Sequence, residues 1–148
     1  MKTAALWALA LAGAFGGGVP SLRAVIERSA PGPDGTITVA VRGVATELRL
    51  GAYQGRLQFA PGSVAIVGSS LPSGDGTRLV NLADTAQGVV RFAGYAVPGF
   101  RSDTLLRLEL RVPRGVDAAA LRVELDVASD VDGKPLERSR IFDSRQRP

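Results

Sequence analysis

From Thr36 onward the chain alternates apolar and polar residues with a period of two, the pattern of strands that have one buried and one wet face. Ile37, Val39 and Val41 alternate with Thr36, Thr38, Ala40 and Arg42, and Tyr53, Gly55, Leu57 and Phe59 with Gln54, Arg56 and Gln58. The beat is cleanest in Leu106, Leu108, Leu110 and Val112 against Arg107, Glu109 and Arg111. It returns in Leu121, Val123, Leu125 and Val127 against Arg122, Glu124 and Asp126. Shorter runs at residues 64–67, 78–82 and 89–95 complete the series. Pro61-Gly62, Pro72 to Gly76, Gln87-Gly88 and Pro113 to Gly115 are the turn signals between them. Only residues 117–121 have brief helical character, as a loop or a single turn. With no helices to carry the chain between parallel strands, this order predicts an all-β antiparallel sandwich or barrel.

The first 35 residues read differently. Lys2 is followed by an apolar run from Ala4 to Phe15 and then by Gly16, Gly17, Gly18, Val19 and Pro20, the parts of a secretory signal peptide. The run is too short to cross about 30 Å of hydrocarbon as a helix, and three glycines and a proline make its extension a poor one. The expected organisation is a leader over residues 1–24, a linker over 25–35 and a sandwich over 36–137. Residues 138–148 form a charged tail. Two cleavage points present themselves, one after Ala12-Gly13-Ala14 and one after Ala24. The linker ends in the turn Pro31-Gly32-Pro33-Asp34-Gly35. Ile141 and Phe142 are the only apolar residues that would pin the tail as a last short strand.

The chain has 148 residues and neither Cys nor His, which excludes disulfides, thiolate nucleophiles, Cys/His zinc sites and imidazole proton transfer. An exported domain of about 120 residues must then hold together by packing alone, and a domain of that size buries about two-thirds of its extended surface. The net charge of +4 suggests a nucleic-acid partner, but the distribution speaks against one. Residues 1–24 carry Lys2 and Arg23 and no acid, and Arg138, Arg140, Arg145 and Arg147 crowd the tail. Acids and bases nearly balance between, so no strand bears a basic stripe.

Four stretches resemble the cohesin domain. Gly51-Ala52-Tyr53-Gln54-Gly55-Arg56-Leu57-Gln58-Phe59, followed by Pro61, is similar to that family's Gly-Ala-aromatic strand. Gly88-Val89-Val90-Arg91-Phe92-Ala93-Gly94-Tyr95 is similar to its central strand, and residues 105–112 to the strand with alternating basic residues. Ala128-Ser129-Asp130-Val131-Asp132-Gly133-Lys134-Pro135-Leu136 resembles the closing segment. The resemblance covers residues 36–137 and implies a jelly-roll β-sandwich of about nine strands. It further implies a non-catalytic module that binds a protein partner through one outer sheet face, built from residues 51–59, 78–82, 89–95 and 105–112. On those strands Gln54, Arg56, Gln58, Arg91, Arg107, Glu109 and Arg111 fall at polar positions and are the expected binding residues. Ala60 departs from the family's Asp before proline, and Ala52 and Gln54 stand where dockerin binders carry other polar residues. The expected partner is therefore a dockerin-like domain or an envelope component.

Other chemistry is thin. Asp130-x-Asp132-Gly133 is the nearest approach to a calcium loop, but Ala128 and Ser139 stand where ligands are needed, and a tight Asp-Gly turn explains it more simply. Glu109 and Glu124 lie among arginines, as cross-strand pairs do, and no acid sits in an apolar stretch that would raise its pKa. Ser69, Ser70 and Ser73 have no base beside them, and Gly74-Asp75-Gly76 lacks the helix and Lys of a phosphate loop. Tyr95 and Phe100, flanking Val97-Pro98-Gly99, are the candidates for stacking a sugar, with Tyr53 as a third. A polysaccharide ligand is thus the alternative to a protein one. No cofactor, catalytic residue or nucleic acid is expected, and a membrane only through an uncleaved leader. The place of action is outside the cell or in its envelope.

Overall fold

The computed structural model describes residues 21–45, 49–72, 75–113, 120–139 and 141–142. The leader up to Pro20, Ser73, Gly74, most of the helical-looking stretch at 117–121 and the end of the tail lie outside the described residues. The strands are β1 (Ser21–Arg28), β2 (Thr36–Ala45), β3 (Leu50–Gln58), β4 (Ala65–Ser70), β5 (Thr77–Asn81), β6 (Val89–Tyr95), β7 (Thr104–Arg111), β8 (Arg122–Asp130), β9 (Glu137–Ser139) and β10 (Ile141–Phe142). A 3-10 turn at Thr85–Gln87 is the one helical element among the described residues.

The strands form two five-stranded sheets, ordered β4-β7-β2-β1-β9 and β10-β8-β3-β6-β5. Their facing sides meet in a single core. Leu22, Ile26, Val39, Val41, Leu57, Val90, Phe92, Leu106, Leu108, Leu110 and Val123 are all fully buried there or nearly so. Withdrawing each such side chain from water contributes about 1.5–3 kcal/mol, which is how a chain without disulfides is held. The expected all-β sandwich is what forms. Pairing is antiparallel throughout except for β1 with β9, which run parallel over three residues where the chain returns to the edge of the first sheet.

The sandwich begins earlier than the sequence pattern suggests. β1 takes in residues assigned above to the leader and the linker, with Leu22, Ala24 and Ile26 all at 0% exposure. Ser21, Arg23, Val25 and Glu27 alternate with them, so the period of two is present. It is masked because it follows directly on the apolar leader. Only residues 29–35 connect β1 to β2, and Asp34 closes that turn by accepting hydrogen bonds from the Thr36 backbone N–H and hydroxyl. At the other end Ile141 and Phe142 do pair, against Val123 and Arg122.

Two register shifts change which side chains face out. Between Gln54 and Gly55 the partner on β8 jumps from Val127 to Leu125, leaving Asp126 unopposed. This bulge turns Val127, inward by simple alternation, to the solvent. A second shift, between Val41 and Arg42, leaves Leu105 unopposed and brings it into the core beside Leu106.

Candidate docking face

β8, β3, β6 and β5 present a continuous outer surface whose rows follow from the strand register. Ala52 lies opposite both Ser129 and Tyr95, and Tyr95 opposite Thr77. The next row is Val127, Gln54, Ala93 and Leu79, and the next Glu124, Arg56, Arg91 and Asn81. Neighbouring strands lie about 4.8 Å apart, so each row is a contiguous strip. Leu79, Tyr95 and Val127 are exposed to 66%, 62% and 49%. With Ala52 and Ala93 they make an apolar patch in the first two rows.

The third row borders that patch with charge. Arg56 and Arg91 stand directly opposite one another, a repulsive placement for two cations. Each is neutralised on its outer side. Arg56 donates to Glu124 at 3.0 and 3.2 Å and lies 3.5 Å from Asp126, while Arg91 Nε donates to Asp84 at 3.0 Å. Gln58, between Val89 and Arg122, ends the face.

The seven expected binding residues do not form one face. Gln54, Arg56, Gln58 and Arg91 belong to this sheet. Arg107, Glu109 and Arg111 are on β7, which pairs with β2 and β4 in the other sheet and points them away from the opposite side of the sandwich. The physical reason is the connection after Tyr95, which carries the chain from one sheet to the other. Arg111 there lies 3.9 Å from Asp34.

The two sugar-stacking candidates separate as well. Tyr95 is exposed, but Phe100 is partly buried against the core. Its ring carries the Arg78 guanidinium 4.4 Å from its centroid and has the Tyr53 ring at 5.2 Å. Tyr53 is itself buried and donates its hydroxyl to the Leu105 carbonyl at 2.9 Å, and burial pushes its pKa up. No pair of free rings results. Asp130 is a turn residue, since its Oδ1 accepts the backbone N–H groups of Asp132 and Lys134, both at 2.9 Å. Among the described residues no three acidic side chains converge as a metal site.

Behind the patch lies a buried ion pair that alternation does not reveal. The side chains of Arg78 and Asp75 are 2% and 7% exposed. Asp75 Oδ1 accepts from Arg78, and Oδ2 accepts the backbone N–H groups of Arg101 and Ser102 at 2.6 and 2.8 Å. Led by the Arg78 bond, these donors hold the Asp75 carboxyl at about 2. The pair ties the start of β5, and hence Leu79, to the loop between β6 and β7. Leu79 and Val127 are the surface residues that strand parity misses. β5 is too short to fix a parity, and Val127 is reversed by the bulge.

No family model matches the sequence, and no curated protein matches it. Solved structures do. The OlpC cohesin in a type I cohesin–dockerin complex from Clostridium thermocellum superposes with a TM-score of 0.65 at 10% identity, over 83% of this chain and 90% of that one. The OlpA cohesin in a second complex from the same organism gives 0.62 at 8%, over 83% and 97%. A non-cellulosomal cohesin from the archaeon Archaeoglobus fulgidus gives 0.61 at 18%, over 85% and 88%.

The chain has the cohesin fold. On this cohesin sandwich the four resembling stretches fall on β3, on β6, on β7 and on the end of β8 with the turn into β9. Ala52 and Gln54 lie in the first two rows of the outer face and are both uncharged.

Proposed function

We propose that this chain is an exported, non-catalytic cohesin-like module that docks a protein partner on the outer face of the β8-β3-β6-β5 surface. The observation that carries this reading is the clustering of Leu79, Tyr95 and Val127, three large exposed apolar side chains, within two adjacent rows of one face. An apolar centre that encloses Gln54 and is bordered by Arg56 and Arg91 has the composition of a protein interface, whereas scattered exposed apolar residues would not. Two of the solved cohesins of this fold are in complexes with dockerins, which makes a dockerin-like domain the first partner to try. Arg107, Glu109 and Arg111 serve as solvated surface in this reading.

Export by residues 1–20 belongs to the same proposal. Cleavage after Ala14 leaves β1 intact, whereas cleavage after Ala24 would remove half of it, including the buried Leu22. Among the described residues no helix is long and apolar enough to cross a membrane.

The test is parallel affinity capture from the source organism, with dockerin-bearing and envelope proteins as the expected prey. The baits are the wild-type chain, Leu79→Ser with Tyr95→Ala, and Arg107→Glu. A protein held by wild type and Arg107→Glu but lost by the double variant supports the assignment. A protein lost only by Arg107→Glu moves the interface to the other sheet and overturns it.

A further inference from the structure

At the end of the sandwich where β6 gives way to β7, a cleft of about 510 Å³ opens beside the docking face. Its wall includes Val97, Pro98 and Gly99, which continue directly from Tyr95 and Ala96. A smaller recess of about 200 Å³ adjoins it, and Arg49, Phe100 and Arg101 line both. We propose that this cleft receives an acidic segment of the protein partner, a proposal that rests on the docking reading above.

Charge is the argument. Arg42, Arg56, Arg78, Arg91 and Arg111 each have a carboxylate within reach. The Arg49 and Arg101 side chains have none among the described residues, and both residues are exposed. Two acids line the cavities, and neither is available to them. Asp75 is taken by Arg78 and two backbone N–H groups, and Asp103 by Arg42. The cleft is therefore lined by two arginines that have no carboxylate partner among the described residues, and guanidinium groups bind carboxylates through paired N–H donors.

The wall is also preorganised. Gly99 has φ of 111°, and a Cβ there would stand 2.8 Å from Val131 Cγ1 and 3.0 Å from Arg49 Cβ. Gly76 has φ of 76°, and a Cβ would meet the Tyr95 carbonyl oxygen and Ala96 Cβ at 2.5 Å. Only glycine permits both approaches. The volume is that of a small-ligand site and suits a short peptide segment. A partner seated over Tyr95 passes across the opening, so its acidic residues are the carboxylates nearest to hand.

The test titrates the purified full chain with N-acetylated tetraglutamate, following backbone amide resonances. The expected result is shifts confined to Gly76 and the Ala96–Arg101 loop. Arg49→Gln with Arg101→Gln should weaken binding at least about tenfold, while Arg107→Gln, on β7 of the other sheet, leaves it unchanged. Absence of these shifts at millimolar peptide overturns the proposal, as does equal binding by the double arginine variant. Equal shifts with inorganic phosphate would make this a small-anion site, and also overturn it. Failure of the docking reading is seen separately, as partner capture that Leu79→Ser with Tyr95→Ala does not diminish.

Discussion

Arg56 and Arg91 face each other across β3 and β6, and each is held by its own acid on the far side, Glu124 for one and Asp84 for the other. The acids make the paired cations tolerable, and they are unequally buried: the Glu124 side chain is 20% exposed and that of Asp84 38%. Glu124→Gln should therefore cost more, about 1 kcal/mol, than Asp84→Asn, about 0.5 kcal/mol or less. Urea unfolding measures both. Equal losses would mean that burial does not set the strength of these pairs, and no loss in either variant would mean that the opposed arginines do not depend on these partners.

The apolar patch should be separable from the core. Leu79→Ser and Tyr95→Ala remove side chains that already contact water, so each should change stability by no more than about 0.5 kcal/mol while removing partner retention. Leu57→Ala, on the buried side of β3, should cost about 2–5 kcal/mol. A large stability loss at Leu79 would show that its side chain is a packing residue.

β1 sets the N-terminal limit of the domain. A chain beginning at Ser21 should fold with sandwich-like dichroism and a cooperative melt. One beginning at Val25 lacks Leu22 and Ala24, both at 0% exposure, and should melt at a much lower temperature or not fold. Mass spectrometry of the exported protein should place its first residue at or before Ser21. A mature chain starting at Val25 and still folded would contradict the role given to β1.

Acid should loosen the β5 end first. The Asp75 carboxyl titrates at about 2 in the folded protein, against 3.8 ordinarily. The unfolded chain thus takes up this proton first as pH falls. The stability the ion pair supplies is complete above pH 3.8 and is lost progressively towards pH 2. Hydrogen exchange should show Ser102 and Arg101 amides losing protection in that window. In Asp75→Asn the same amides should be weakly protected at neutral pH, with little further change in acid.

Much of this protein is legible from residue order, and the missing parts have specific causes. The period of two in Leu106, Leu108 and Leu110, or in Val123 and Leu125, states which side of its own strand a residue occupies, because a pleated backbone leaves no other choice. That yields the two-layer sandwich and most of its core, and the Asp132-Gly133 pair yields the turn built on Asp130. It does not state which sheet a strand joins. Gln54 and Arg107 have the same exposed, alternating character, yet they lie on opposite sides of the sandwich because the loop after Tyr95 changes layers. Nor does it anticipate a bulge, and one unopposed residue, Asp126, is enough to turn Val127 outward. β1 is hidden for a third reason, since an apolar alternation that follows an apolar leader has no visible beginning. Local patterning decided the strands and their dry faces. Long-range pairing, which joins residues far apart in the chain through backbone groups that every residue carries alike, decided the docking face and the arginine-lined cleft beside it.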